Sequence, residues 1–204
     1  FAKTPNHFEA QGSCDTVVET SGVLKTIAVS IAKIANDIRW LASGPRCGLG
    51  EIQLPALLPG SSIMPGKINP VICESALQAC AHVIGNDTAL TLAGQGGYFE
   101  LNLMLPLAGF KLTESIDILA STARSLADKC ISGITANTKQ CEENIRKSLA
   151  VITGLVPHIG YDRAADVAAR AHETGKTIEE IAAEDKLLPS DQLRKALYGS
   201  TDGT

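Results

Sequence analysis

Apolar residues recur along the first part of the chain at alternating spacings of three and four. Leu24, Ile27, Ile31, Ile34, Ile38 and Leu41 trace one stripe, which is the periodicity of a bundle-helix seam. The pattern predicts a long helix from about Glu9 to Ala42. Val17, Val29 and Ala35 widen the apolar surface beyond that stripe, so other helices are expected to surround this one. A second helix is expected from about Asn69-Pro70 to Leu92. Pro70 suits the first turn, where no amide hydrogen is needed, and Glu74 falls near the positive end of the helix dipole. A third helix is expected from about Pro106 to Cys130, with Leu112, Ile116, Leu119, Ala123, Leu126 and Cys130 on one face.

Two glycine-rich stretches interrupt this pattern. Residues 43–60 contain Gly44, Pro45, Gly48, Gly50, Pro55, Pro59 and Gly60, and a loop that long carries function or is disordered. Gly94 to Asn102 is too glycine-rich to be regular. After Gly133 the elements become short and charged. Thr177 with Glu180 reads as a capping box for a helix through about Asp185. Ser190 reads as the cap of a last helix to about Leu197, His158 after Pro157 as part of a turn, and the polar tail Gly199–Thr204 as frayed. No segment shows strand alternation, and no internal repeat is evident. Residues 1–136 therefore read as most of a long-helix bundle and residues 137–204 as a small helical appendage, in an all-α chain.

Composition narrows the function classes. The 204 residues are 45% apolar and 20% charged, with a net charge of −4, which is ordinary for a globular protein and gives no basic footprint for nucleic acid or an anionic membrane. Aromatic residues make up 4%, too few for base-stacking platforms. No run of apolar residues is long enough to span a bilayer, and no secretory segment is visible. The six cysteines, Cys14, Cys47, Cys73, Cys80, Cys130 and Cys141, form no CxxC pair and read as scattered reduced thiols in a reducing compartment. Phe1, not Met, opens the chain, so it reads as part of a longer polypeptide.

The richest chemistry lies in Gly60-Ser61-Ser62-Ile63-Met64-Pro65-Gly66-Lys67-Ile68-Asn69-Pro70. Its glycines let the backbone approach a ligand, and amides at the start of the following helix point at negative charge. Lys67 adds a full positive charge, and Asn69 adds two donors and an acceptor. These residues suit a carboxylate or a phosphate. They do not form a nucleotide P-loop: five residues separate Gly60 from Gly66, Ile68 follows the lysine, and no strand precedes. His7, His82, His158 and His172 lack partners at metal-ligand spacing and read as structural. Asp37 and Arg39 read as a solvated or interhelical ion pair.

The segment from Gly60 to Pro70 resembles the hallmark of the fumarase/aspartase superfamily. Pro5–Ala10, Lys33–Arg39, Gly44–Arg46, Gly48–Glu51, Gly85–Asp87, Phe99-Glu100-Leu101-Asn102 and Pro157–Asp162 resemble its class II fumarases in particular. The resemblance covers essentially the whole chain to about Leu197. It implies a long-helix fold that packs as a homotetramer and an active site shared between subunits. The implied reaction is the reversible hydration of fumarate to (S)-malate, a carbon–oxygen lyase step of the tricarboxylic acid cycle. It implies Ser61 as the base, with Ser62, Lys67 and Asn69 binding the substrate carboxylates and Ile68 between them. Glu74 would hydrogen-bond and tune a catalytic histidine.

That histidine stands in a Thr-His context in the family, which none of the four histidines here shares. The resemblance puts it, together with a Thr- and Ser-rich anion turn, upstream of Phe1. These residues alone are accordingly expected to show little activity. No metal, nucleotide or organic cofactor is implied, and the expected location is the cytoplasm, or the mitochondrial matrix in a eukaryote. Aspartate ammonia-lyase is the alternative within enzymes, and a non-catalytic helical oligomerisation piece is the alternative outside them.

Overall fold

The computed structural model describes residues 3–57, 63–64 and 66–199. The chain is all-α and divides into two compact units, Phe1–Ala136 and Asn137–Thr204. The first contains a short helix α1 (His7–Gly12) and three long ones, α2 (Asp15–Leu41), α3 (Val71–Gly94) and α4 (Leu105–Lys129). Helix α3 packs along both α2 and α4, which meet each other over a shorter stretch. None of the described helices is long and apolar enough to cross a membrane.

Packing is set by small side chains on α3. Cys73, Ala76, Cys80, Val83, Asp87 and Leu90 are buried at the three-and-four spacing of a heptad seam. They meet Ala28 and Ala35 of α2, both 0% exposed, and Leu119, Leu126 and Cys130 at the α4 side. The observed seam of α2 differs from the one its isoleucines suggest. Ser21, Ala28 and Ala35 point inward with Leu24, Ile31 and Ile38 partly buried, whereas Ile27 and Ile34 are exposed. Small residues win the inner face because they let two helix backbones approach closely, which a wider isoleucine stripe would prevent. On α4, Ala108, Ser115, Leu119 and Leu126 are buried, while Ile116 and Ala123 are exposed.

Polar contacts pin these helices in register. Asp87 accepts hydrogen bonds from Ser21 Oγ at 2.8 Å and Lys25 Nζ at 2.5 Å, tying α3 to α2. Burial pushes the Asp87 carboxyl up, but the bonds from Lys25 and Ser21 outweigh it and hold its pKa below 3.8. Between α3 and α4, Asn86 Nδ2 donates to Glu114 Oε2 at 2.9 Å and Ser115 Oγ at 3.1 Å. Lys111 and His82 also meet Glu114 Oε2, at 2.8 and 3.2 Å. Asp37, by contrast, pairs with Lys33 one turn back on α2 rather than with Arg39.

The expected single helix from Glu9 is broken at Ser13–Cys14, and Asn102 explains the break. A hairpin joins α3 to α4, with β2 (Gly97–Tyr98) paired to β3 (Leu101–Asn102). The Asn102 amide, 3% exposed, donates toward Gly12 O at 3.3 Å, Ala93 O at 3.2 Å and Cys14 Sγ at 3.4 Å. Its carbonyl accepts from Met104 N at 2.8 Å. The carbonyl of Gly12 is thus used by Asn102 at the end of α1. A Cβ on Gly12 would come within 2.5 Å of Phe99 O, so only glycine lets α1 reach the hairpin. A second two-residue pairing, which no alternation along the chain announces, joins β1 (Ile52–Gln53) to β4 (Thr135–Ala136) in antiparallel register.

The second unit holds α5 (Thr138–Lys147), a 3-10 turn (Leu149–Gly154), α6 (Val156–Ile159), α7 (Tyr161–Thr174), α8 (Ile178–Glu184) and α9 (Ser190–Tyr198). They enclose Leu155, Val167, Ile178, Ile181, Ala182 and Leu193. The capping box of Thr177 and Glu180 is formed in both directions. Pro189, not Ser190, is the N-cap of α9, and Ser190 is its first helical residue: Pro189 holds an extended φ and ψ of −56° and 146°, and Ser190 has turned into the helix. His158 lies in the one-turn helix α6 rather than in an open turn.

Two outcomes follow. Asn102→Ala removes the donor to Gly12 O, Cys14 Sγ and Ala93 O and the acceptor for Met104 N and is expected to cost about 2–3 kcal/mol; urea unfolding that shifts by less than a few tenths would refute the hub. Glu114 is held at about 2 by Lys111 first, then His82 and Asn86, against 4.5 when free. A depressed carboxyl stabilises the fold above its unfolded pKa, and that contribution is lost as pH falls from 4.5 toward 2. Glu114→Gln is expected to flatten the stability–pH curve within that window, as read by chemical denaturation at stepped pH.

Candidate active site

The residues expected from the sequence to bind an anion lie just ahead of α3 and in its first turn. Pro70 is the N-cap of α3 and makes no side-chain cap hydrogen bond. The chain enters through a tight turn in which Lys67 N donates to Met64 O at 3.2 Å. Gly66 takes φ +79° there, a value that favours glycine. Val71 N then bonds Asn69 O at 2.9 Å, and Glu74 N bonds Pro70 O at 3.0 Å, where the helix proper begins. Glu74 stands in the first turn, at the positive end of a 24-residue dipole.

The proposed ligand-binding residues are unevenly sheltered. Lys67 and Ile68 are exposed, and Asn69 and Glu74 are partly buried. Ile63 and Met64 are also exposed, at 87% and 51%. Ser61 and Ser62 lie outside the described residues. Asn69 lines a cavity of about 10 Å³ with Leu54, Leu57, Pro70, Lys129 and Cys130. That volume holds no more than a water, so it cannot take a four-carbon diacid.

Beneath this turn lies a feature that spacing along the chain does not reveal. Cys73 Sγ and Cys130 Sγ are 3.7 Å apart, 57 residues distant in sequence. Both are buried. Burial pushes the Cys73 thiol up to about 12, the Cys130 thiol adds to it, and the Arg39 charge opposes it. The pair thus acts as two small apolar groups next to Glu74 and not as a nucleophile. Arg39 supplies positive charge at this end of the bundle, a role its sequence neighbourhood offered no way to assign. Of the histidines, His82 is joined to Glu114, farther along α3. No cluster of three or more metal-ligating side chains occurs among the described residues.

Comparison with known proteins points to one family. Residues 2–85 match a family model described as lyase, and residues 151–198 match one described as the fumarase C C-terminus. The chain is 49% identical over 192 residues to the class II fumarate hydratase of Thermosynechococcus vestitus, covering 94% of this chain and 41% of that protein. It is 48% identical to the mitochondrial fumarate hydratase of Rhizopus oryzae, covering 94% and 39%. Over almost its whole length the chain is similar to class II fumarate hydratases, enzymes of the fumarase/aspartase superfamily. The crystal structure of the class II fumarase of Schistosoma mansoni superposes with a TM-score of 0.91 at 37% identity, over 98% of this chain and 42% of that one. A cobalt-bound fumarate lyase/delta crystallin of Brucella melitensis gives 0.90 at 45% identity, over 97% and 43%. The chain therefore spans about two fifths of the length of the relatives it matches.

The thiols provide a direct check on the packing beneath the start of α3. In the folded protein a water-soluble maleimide at mildly alkaline pH is expected to label exposed Cys47 quickly. Cys73 and Cys130 should remain unlabelled until denaturant is added. Rapid labelling of Cys73 in the folded protein would contradict a closed contact beneath Glu74.

Proposed function

We propose that this chain is part of a class II fumarate hydratase and carries the serine loop of its active site. The observation that carries the reading is the run Gly60–Pro70 immediately ahead of α3 in the sequence, with identity near one half to fumarate hydratases over almost the whole chain. In the malate-to-fumarate direction Ser61 takes a proton from the carbon beside one carboxylate. The carbon–hydrogen electron pair moves into that carboxylate as an aci-carboxylate dianion. Collapse of the dianion forms the double bond and expels hydroxide from the neighbouring carbon, which a general acid protonates to water. Hydration is the reverse.

Serine is a weak base, so the site must stabilise its ionised form. Lys67 and the amides at the start of α3 supply positive potential for both the serine oxyanion and the developing dianion. Ser62 and Asn69 hold the substrate carboxylates by hydrogen bonds, with Ile68 between them. Glu74 orients and tunes the catalytic histidine, which the family resemblance assigns to a segment other than these 204 residues.

Assembly as a homotetramer is part of the same proposal. Val23, Ile27, Ile34 and Trp40 of α2 and Phe110 and Ile116 of α4 are all exposed. Apolar surface of that extent on helix faces marks an interface. A tetramer would bring segments of three subunits to each site, which is consistent with the small cavity beside Asn69. A fumarate hydratase of this kind works in the cytoplasm, or in the mitochondrial matrix of a eukaryote.

The test is the ultraviolet assay for fumarate. The whole polypeptide is expected to release fumarate from malate and not from aspartate. Ser61→Ala should lower turnover by at least about 100-fold with circular dichroism unchanged, and the 204-residue chain alone should be nearly inactive. Activity on aspartate, or near-normal turnover by the alanine variant, would overturn the reading.

A further inference from the structure

The segment that carries the motif has two stems, and both are seated at the C-terminal end of α4. On the far side, Asn69 and Pro70 share the cavity beside Lys129 and Cys130. On the near side, Ile52 pairs with Ala136 and Gln53 with Thr135, and Leu54 packs on the cluster of Ala35, Cys73 and Cys130. Continuing that register by two residues sets Pro55 opposite Gly133, the last residue of the 3-10 turn Ile131–Gly133 that follows α4.

The fit between these two residues is close. A Cβ on Gly133 would overlap Pro55 Cγ and stand 3.4 Å from its Cβ and 3.5 Å from its Cδ. The pyrrolidine ring is fused to the backbone and cannot rotate away. Any side chain at 133 must therefore push the Pro55 backbone, and with it the stem that leads to residue 57. Gly133 does not hold a left-handed φ, so alanine there is free of backbone strain and acts through the contact alone.

We infer that Gly133 is a positioning residue for the Gly60–Pro70 segment: its bare Cα seats Pro55, and the seat fixes where the motif departs from the bundle. The catalytic consequence rests on the fumarate hydratase reading, and the placement of the stem does not.

The experiment compares Gly133→Ala, Pro55→Ala and the double variant in the polypeptide as it is encoded. Pro55→Ala deletes Cγ, the atom that conflicts with a new methyl group, and makes room for it. Gly133→Ala is expected to lower kcat for fumarate hydration by on the order of 10- to 100-fold, the scale of an ångström misplacement of a reacting group, with a smaller change in KM. Combining it with Pro55→Ala should recover most of the loss, since contacting positions couple. Hydrogen exchange gives an independent readout. Gly133→Ala should speed exchange of the amides of residues 52–57 and 67–69, leave the middle of α4 unchanged, and be corrected in the double variant. Should the single variant fail to fold, recovery of fold and turnover in the double variant carries the same support. Unchanged turnover and exchange in Gly133→Ala, or a double variant no better than the single one, would overturn the inference. A wild-type polypeptide without fumarate hydration would defeat the functional reading alone, because the exchange comparison needs no substrate.

Discussion

Close approach of α3 to its two neighbours is the constraint on which the first unit depends. Ala28, Ala35, Cys73, Ala76 and Cys80 are nearly inaccessible and small, so the helix backbones meet at short range and large side chains are driven to other faces. At such range dispersion and area burial are high per residue, and a single added methylene has nowhere to go. The start of α3 is therefore held rigidly, and so are Asn69 at its approach and Glu74 in its first turn. A group whose task is to hold a carboxylate or orient an imidazole gains from a support of this kind, since catalysis depends on sub-ångström placement.

Small apolar contacts give affinity between helices but little register, because one alanine resembles another. Polar contacts supply what is missing. Asp87 with Ser21 and Lys25 and Asn86 with Ser115 and Glu114 stand on adjacent residues of α3 and face opposite neighbours. Sliding either neighbour by one turn would leave a buried carboxylate or amide unpaired, at a cost greater than any apolar packing recovered in the new register. Asn102 does the same at the far end, joining the ends of α1 and α3 to the start of α4.

Much of this architecture was legible along the chain. The three long helices emerge from three-and-four spacing, and the capping box at Thr177 from two residues and their interval. The face of α2 was not legible in full. Its isoleucine stripe is the more hydrophobic one, yet the inner face uses Ser21, Ala28 and Ala35, because hydrophobicity reports burial of any kind and does not tell a contact within the chain from one between chains. Ser190 looked like a cap because serine favours that position, but Pro189 occupies it. The break at Ser13 depends on Asn102, and the pairing of Ile52 depends on Ala136, far along the chain. Short-range pattern carries no information about either. The motif stands out along the chain by its composition, while the contact of Cys73 with Cys130 near the start of α3 depends on tertiary structure alone.

The outward isoleucines then acquire a reason. A helix that presents alanine inward and Ile27 and Ile34 outward has one tight internal face and one broad apolar outer face. Broad β-branched surfaces suit association between large preformed bundles, where the approach is set by whole faces and not by single backbones. One stem of the motif segment pairs with β4 and the other lies beside Lys129 and Cys130, and Lys67 and Ile68 are exposed. Neither residue is enclosed by the described part of this chain. In the proposed fumarate hydratase a serine base needs low dielectric and exclusion of water. On that proposal the outward apolar faces and the chemistry of the loop are one requirement, since association between bundles would shelter charged groups that the described part of this chain leaves exposed.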